Sequence, residues 1–443
     1  MSAKQVIVIG AGAGGMMAAM RAAQSGADVL LLEKTERPGK KILISGNMRC
    51  NLSNAKELND FIAMYGPNGR FLYSAFNQYF RDDLLLFLKD RGIETKTEPD
   101  GRIFPVSDDA RHVVGLFERC LADNKVQIQT GAHVTDIMVN NGHVTGVKTE
   151  QKAYPATAVI LATGGASYPG TGSTGDGYRM AAAVGHTITK LRPALVPLVV
   201  VETEKAKSMQ GARLHNVRLS AYQCKADDIN TSTTPIRDVG RRIMGKQPRL
   251  PVIESRMGDV MMTHYGIGGP VALQMTLAIV TALEQGPVSV AIDLKPTLDY
   301  KGLREQLQWG LDLYSKQNYR IILKRYLPKK LIEPFIEMTG ISTDRLGCQI
   351  NTRERDRLLS LLKSLRFNIK ASLPLDAAMV TAGGVELKEI DPRTMASRLI
   401  KGLYFCGEVM DIDAETGGYN LQAAFSTGYV AGDNAAAFYA TVY

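Results

Sequence analysis

The feature that most restricts the fold lies at the start of the chain. Residues 5–9 (QVIVI) are a short apolar run that ends in Gly10-x-Gly12-x-x-Gly15, and a small-residue run, 16–25, follows and stops at Gly26. An apolar run of this length bounded by glycines predicts a buried parallel strand. The run after it predicts a helix, and residues 28–32 predict a second strand ending in Glu33. Together they make one β-α-β unit of about 30 residues. Each glycine has a mechanical job: Gly10 makes the tight turn, Gly12 lets the backbone touch a pyrophosphate, and Gly15 lets helix and strand pack closely. The helix N-terminus then faces the phosphates with free N–H groups. Glu33, 18 residues after Gly15, can accept hydrogen bonds from both ribose hydroxyls and would repel a 2′-phosphate. The unit therefore predicts FAD or NAD, not NADP.

The rest of the chain predicts an α/β protein in three parts. Residues 55–125 carry helical periodicity with a hairpin near Asp100-Gly101. Residues 126–130, 133–139 and 143–149 read as strands, and Asn141-Gly142 supplies the turn between the last two. Residues 158–161 read as a buried strand running into Ala162-Thr163-Gly164-Gly165, after a small antiparallel meander. Composition changes after Arg192. Residues 193–298 are rich in Val, Thr and Pro, and the runs 196–202, 214–224 and 288–293 suggest an antiparallel barrel. Residues 299–364 switch to helical pattern, 365–372 form one more strand, and 378–385, 402–406 and 421–439 resemble the first region again. The expected organisation is a Rossmann-like two-part domain, 1–191 and 376–443. It carries a β-barrel-like insertion, 192–298 and 365–375, and a helical subdomain, 299–364.

Composition excludes some classes. With 45% apolar and 22% charged residues, the chain is neither disordered nor a coiled coil. Its longest apolar stretch, 271–283, is interrupted by Gln274, Thr276 and Thr281 and is too short to span a bilayer. The polar start (Ser2, Lys4, Gln5) carries no signal peptide. Five cysteines at wide spacing, without C-x-x-C, fit free thiols in a reducing compartment. A cytoplasmic protein without a metal site is expected, and nothing in the sequence specifies an oligomeric state. The formal net charge of +9 is unevenly placed: residues 192–375 hold 28 Lys and Arg against 17 Asp and Glu, while the remainder holds 25 against 27. This points to an anionic small-molecule substrate, electron donor or partner at the insertion. Nucleic acid is an unlikely partner: the most basic run, 320–330, has only Tyr319 and Tyr326 as aromatic neighbours and reads as a solvated helix face.

FAD rather than NAD follows from two later segments. Residues 39–54 (GKKILISGNMRCNLSN) offer Lys40, Lys41, Ser45, Gly46 and Arg49 where a simple NAD domain would continue with another β-α unit. Residues 402–411 are an apolar strand that delivers Gly407, Glu408 and Asp411, placed to hold a ribityl chain. Thr416-Gly417-Gly418-Tyr419-Asn420 then opens the last helix, whose N-terminus can face the flavin edge that becomes negative on reduction. With residues 6–19, 101–110, 162–178, 262–270, 380–385, 394–413 and 416–428, these stretches make the whole chain resemble the BaiN/RdsA-type (aminoacetone-oxidase-type) family of FAD-dependent oxidoreductases. The resemblance implies a two-part FAD domain, an inserted barrel-like substrate domain and a helical subdomain. It departs at Asn47-Met48, where the family usually carries glycines. The expected cofactor contacts are Gly10, Gly12, Gly14, Gly15, Glu33, Lys34, Lys41, Ser45, Gly46, Asn51, Val134, Thr163, Gly164, Gly407, Glu408, Asp411, Gly418, Tyr419 and Asn420.

The flavin would carry the chemistry. The expected reaction is reduction of an activated C=C bond or oxidation of an amine or alcohol on a small organic substrate; the alternative is modification of a nucleic acid such as tRNA. No second dinucleotide fold is present: the cluster 170–177 lacks a preceding strand. NAD(P)H, if it is the reductant, must visit the open flavin face. His264 is the proton-transfer candidate, and Tyr168, Arg49 and Tyr419 are candidates for a carbonyl or flavin contact. Arg102 is expected to pair with Asp108 or Asp109. Cys50 and Cys406 are candidate redox thiols but read as packing residues. Trp309 reads as a core residue of the helical segment, and the other five histidines read as structural.

Overall fold

The computed structural model describes residues 5–229 and 252–441. Ser2 and Lys4 of the polar start lie outside these residues, as do the five Lys and Arg of 230–251. The chain forms two compact units, Met1–Arg192 with Leu375–Tyr443, and Pro193–Pro374.

The first unit is built on a five-stranded parallel sheet in the order Leu403–Phe405, Ala158–Leu161, Val6–Ile9, Val29–Leu32, Gln127–Gln129. Its register pairs Val6 with both Val29 and Ala158, and Val159 with Leu403. Val6–Ile9, Val29–Leu32 and Ala158–Leu161 are buried along their whole length, which is why they read as unbroken apolar runs rather than alternating ones. One residue from near each end of the sequence thus enters the same sheet.

Two helices meet across small residues. The helix Ala13–Gln24 packs on the last helix, Tyr419–Thr441. A Cβ on Gly428 would stand 2.3 Å from the Gly14 carbonyl oxygen, and one on Gly432 would stand 2.4 Å from that of Ala18. Only glycine allows this approach. An antiparallel meander, Val134–Asn140, His143–Thr149 and Ala153–Pro155, turns at Asn141-Gly142. Both turn residues are left-handed (φ 49° and 75°), as a type I′ hairpin requires. The hairpin around Asp100-Gly101 joins Thr95–Thr97 to Arg102–Pro105, with Ser53–Asn54 on its other edge.

The second unit holds a closed six-stranded barrel ordered Leu198–Val200, Gly266–Gly268, Val252–Met262, Arg213–Tyr222, Val288–Asp293, Leu365–Ser372. The apolar stretch predicted too short for a membrane is the helix Pro270–Leu283, and it buries Val271, Met275 and Ile279 in the barrel's core. Among the described residues no helix is long and apolar enough to cross a membrane. The helices between Tyr300 and Lys363 share that core: Leu303, Phe335 and Leu358 cluster with Leu219, Val290 and Phe367. Trp309 corrects the sequence reading. It is 65% exposed, because Leu303, Leu307 and Leu311 define the buried face of Tyr300–Leu313 and Trp309 lies off it. The basic run is not one helix either. Tyr319–Leu323 is a single short helix, Tyr319 is fully buried, and Arg320 pairs with Glu333 at 2.7 Å.

Candidate functional site

The three motif glycines meet three different physical demands. Gly10 is left-handed (φ 97°), and a Cβ there would lie 2.6 Å from the Ala162 carbonyl oxygen. A Cβ on Gly15 would lie 1.8 Å from the Gly10 carbonyl oxygen. These two glycines are fixed by packing. Gly12 is different: a Cβ there would have nothing within 4 Å. Gly12 is also the N-cap of Ala13–Gln24 and offers no side-chain cap, so the helix's first N–H groups are open to an anion. Gly14 faces the other way, with a virtual Cβ 3.1 Å from the Ala424 carbonyl oxygen and 3.2 Å from Cys406 Sγ.

Glu33 is buried and anchors the loop. Its carboxylate accepts from the Ala11 N–H (2.7 Å) and the Thr35 N–H (2.8 Å). A carboxylate has about four acceptor positions, so two remain for ribose hydroxyls. Thr163 Oγ1, at the end of the neighbouring strand, is buried with no hydrogen-bond partner. It lies against Gly177, where a Cβ would stand 2.0 Å from it. The open Gly12 and the spare acceptors of Glu33 fit a dinucleotide.

The far end of the site is held across the sequence. Lys41 donates to Glu408 at 2.6 Å and to Ser167 Oγ at 3.1 Å. Glu408 also accepts from the Thr381 N–H (2.9 Å) and Ser167 Oγ (3.3 Å). Ser167 and Thr381 were missed from the sequence. Both lie in segments noted above, but neither residue type alone signals a partner hundreds of positions away. With its amide oriented to satisfy both neighbours, Asn51 accepts from the Gly418 N–H at 2.9 Å and donates to the Ser53 carbonyl. It therefore ties residues 39–54 to the start of the last helix. Gly418 is left-handed (φ 94°), and its Cβ position lies 2.2 Å from the Ser53 carbonyl oxygen.

Several expected contacts are engaged inside the protein. Lys34 pairs with Asp176 at 2.7 Å and also donates to Thr174. Ser45 Oγ donates to the Ile42 carbonyl at 2.7 Å. Gly46 is left-handed against Asn51 and Phe104, Val134 is buried at a strand start, and left-handed Gly164 faces Ser173 Oγ. The Gly407 N–H donates to Thr427 Oγ1 at 3.0 Å. Tyr419 is buried against Phe61, with ring centroids 4.8 Å apart, and burial pushes its phenol up to about 12. Asn420 bridges the Ala414 N–H and carbonyl at 3.0 and 2.9 Å, closing its own loop.

Among the catalytic candidates, Arg49 is held. It pairs with Glu98 at 2.7 Å and Asp108 at 3.4 Å, and its guanidinium lies 4.0 Å from the Phe104 ring centroid. Arg102 pairs with Glu98 (3.0 Å) and Asp100 (2.6 Å), not with the expected Asp108 or Asp109. Those two are taken by Lys96 and Arg111, which lie nearer. Tyr168 is half-exposed in a left-handed conformation (φ 52°) before the turn Pro169–Thr171. His264 is exposed in the second unit, 4.6 Å from the Tyr265 ring. Cys50 and Cys406 are fully buried, and burial pushes each thiol up to about 12, which fits packing residues. His186 is buried between Glu389 (2.9 Å) and Ser397 (2.8 Å) as a structural clamp.

Sequence reasoning also passed over Asp413. Burial, reinforced by the charges of Asp411 and Glu408, pushes its carboxyl up to about 7. Burial also raises Asp411 above the usual carboxylate range. Three acids within six residues share a poorly hydrated loop, the condition under which one retains its proton.

Comparison with known proteins decides the lineage. The model of the HI0933-like protein Rossmann domain matches residues 4–434. The chain belongs to the HI0933-like family. It is 33% identical over 433 residues to the 3-dehydro-bile acid delta(4,6)-reductase of Clostridium scindens, covering 97% of this chain and 98% of that one. It is 30% identical over 429 residues to the ribosomal RNA dihydrouridine synthase of Escherichia coli, covering 96% of each. Among solved structures, 3-ketosteroid delta1-dehydrogenase from Sterolibacterium denitrificans superposes with a TM-score of 0.51 at 14% identity, covering 98% of this chain and all of that one. That likeness is one of fold. Membership makes this HI0933-like protein an FAD-dependent oxidoreductase with a Rossmann-type FAD-binding domain. Among its described residues no group of three or more His, Cys, Asp or Glu could hold a metal ion.

Proposed function

We propose that this chain saturates a carbon–carbon double bond conjugated to a carbonyl group, with FAD bound noncovalently in the first unit. The observation that carries the reading is the bond change shared by its relatives' names. A delta(4,6)-reductase acting on a 3-dehydro compound and a dihydrouridine synthase both name the saturation of a ring double bond next to a carbonyl. The ring differs and the reaction class does not, which favours C=C reduction over amine or alcohol oxidation.

Bound FAD supplies the hydride chemistry. The chain's residues bind and orient it. The open N–H groups at Gly12 would take the pyrophosphate and Glu33 the ribose, and Glu408, fixed by Lys41, would with Asp411 hold the ribityl side. The N-terminus of the last helix, steadied by Asn51, would stabilise negative charge on the bound flavin. Tyr168, in the unit that holds the cofactor crevice, would supply the proton that the substrate takes up with the hydride. NADH or NADPH would serve as transient reductant at the open face, because the described residues hold no second dinucleotide fold. We assign the protein to the cytoplasm. The preferred substrate is a small anionic enone, drawn by the excess of positive charge in residues 192–375. Uridine within RNA is the second reading, and the two relatives named for ribosomal RNA favour it.

The test is anaerobic. NADH or NADPH should bleach the visible flavin band of the purified protein. A 3-oxo-4,6-diene steroid acid, or a uridine-containing ribosomal RNA fragment, should restore it with formation of the saturated product. A colourless protein that takes up no FAD ends the reading. A flavin that reduces but is reoxidised by neither acceptor ends the C=C assignment.

A further inference from the structure

The first unit has a second concavity that shares no residue with the cofactor crevice. A cavity of about 390 Å³ lies between the turn after helix Arg81–Lys89, the turn after strand Arg102–Pro105, and helix Ala110–Asp123. Arg91, His112, Arg119 and Ser107 line it, against a single carboxylate, Glu94. His112 and Arg119 are seven residues apart on the helix, which places them on one face two turns from each other. Among the described residues, neither side chain has a hydrogen-bond or ion-pair partner. Arg91 lies over the Phe87 ring at 4.3 Å and donates one N–H to the Phe87 carbonyl at 3.2 Å. That contact holds the guanidinium in place without neutralising it.

The local acids do not compensate. Asp109 caps the helix and is paired with Arg111 at 2.6 Å. Nearby arginines show the contrast: Arg49 and Arg102 both reach carboxylates. Two guanidiniums with no hydrogen-bonded carboxylate, an imidazole and a hydroxyl line one concavity and outnumber its one carboxylate, a donor set suited to a phosphoryl group, which arginine binds bidentately. The cavity's size falls within the ordinary range for small ligands.

We propose that this cavity binds the phosphoryl group of a nucleotide-sized ligand. The inference does not depend on the reaction proposed above. The phosphoryl group could belong to a free nucleotide, such as the dinucleotide reductant, or to an RNA backbone, and the test separates these sources.

The experiment uses the FAD-saturated holoenzyme, so that the glycine loop is already filled. Pyrophosphate, ADP, NADPH and a short single-stranded RNA are titrated at low and high salt by calorimetry. Pyrophosphate and ADP should bind, more weakly at high salt. Arg91→Gln and Arg119→Gln should each weaken binding roughly tenfold. Glu94→Gln should tighten it, a change of opposite sign that a merely structural role does not produce. All three positions are exposed, so the variants should keep the holoenzyme's melting temperature and flavin spectrum. NADPH binding that is tighter than ADP and is lost in the Arg91→Gln/Arg119→Gln double variant assigns the site to the reductant; RNA binding tighter than either, lost in the same variant, assigns it to a polynucleotide backbone. The proposal is overturned if millimolar pyrophosphate does not bind, or if its affinity is unchanged in the Arg91→Gln/Arg119→Gln double variant.

Discussion

The two glycine-rich ends of the cofactor crevice, Gly10–Gly15 and Gly417–Asn420, differ in what their residues are free to do. At the first, the backbone does the work. Gly10 and Gly15 are fixed by carbonyl contacts, and Gly12 is left facing open space. At the second, side chains that look available in sequence are already engaged. Tyr419 sits among aromatic rings, and Asn420 closes its own loop. The difference teaches that a glycine's role follows from local steric rules, whereas a polar side chain's role depends on partners the sequence does not place beside it.

The sharpest break of this comparison uses two alanines. Gly15→Ala drives a methyl to within 1.8 Å of the Gly10 carbonyl oxygen and should destabilise the protein by about 3 kcal/mol, with loss of bound flavin. Gly12→Ala adds a methyl to open space at an ordinary extended backbone (φ −79°, ψ −169°). Its melting temperature should be unchanged, while FAD affinity falls roughly tenfold or more as the methyl enters the path of the pyrophosphate. Chemical denaturation and flavin titration measure the two effects separately. Equal losses of stability in both variants would remove the distinction between a packing glycine and a ligand glycine.

The next effect tests the other end. Lys41→Met leaves Glu408 with only Ser167 and Thr381 and should cost about 1–2 kcal/mol, discounted because both partners keep some solvent contact. The Lys41→Met/Glu408→Gln double variant should recover part of that loss. A strictly additive cycle would mean that the pair does not couple the two ends of the chain.

How much was legible follows the same division. The strands at 143–149, 158–161, 288–293 and 365–372 appear at the predicted residues. Each is an apolar or alternating run with a turn signal at its edge, so local pattern sufficed. The roles of Gly10, Gly12 and Gly15 were legible for the same reason. Arg102 was not: its choice between four nearby carboxylates is settled by hairpin register, which puts Glu98 and Asp100 beside it. Trp309 was misjudged because residue type outweighed position on a helix whose leucines already define the buried face. Asp413 was overlooked because its character comes from burial beside Asp411 and Glu408.

Asp413 also supplies a pH test. Its carboxyl is raised from the usual 3.8 to about 7, with burial as the main cause. Between those values the folded chain binds a proton that the unfolded chain releases, so stability is highest at the acid end of the window and falls as pH rises through about 7. Asp413→Asn removes this dependence. In the FAD-free protein the melting temperature of the parent should decline by a few degrees between pH 5 and pH 8 relative to the variant. Parallel profiles would show that Asp413 is ionised throughout, and the buried-acid reading of this loop would fall.

The smallest expected effect concerns the thiols, where the two ends of the crevice agree. Cys50 lies within the cofactor segment 39–54 and Cys406 directly precedes Gly407, so position alone makes both candidates for redox chemistry. Both are fully buried with thiols raised to about 12, and a thiol reacts as its thiolate. Alkylation of the native protein should therefore modify exposed Cys348 first and half-buried Cys224 more slowly. Cys50 and Cys406 should stay unmodified until the protein unfolds. Cys50→Ala and Cys406→Ala should leave the rate of flavin reduction by NADPH within about twofold of the parent, since each removes one packing atom without burying a hydroxyl. Rapid labelling of Cys406 in the folded holoenzyme, with parallel loss of flavin reduction, would instead put a reactive thiol at the cofactor and make that end of the crevice chemical rather than structural.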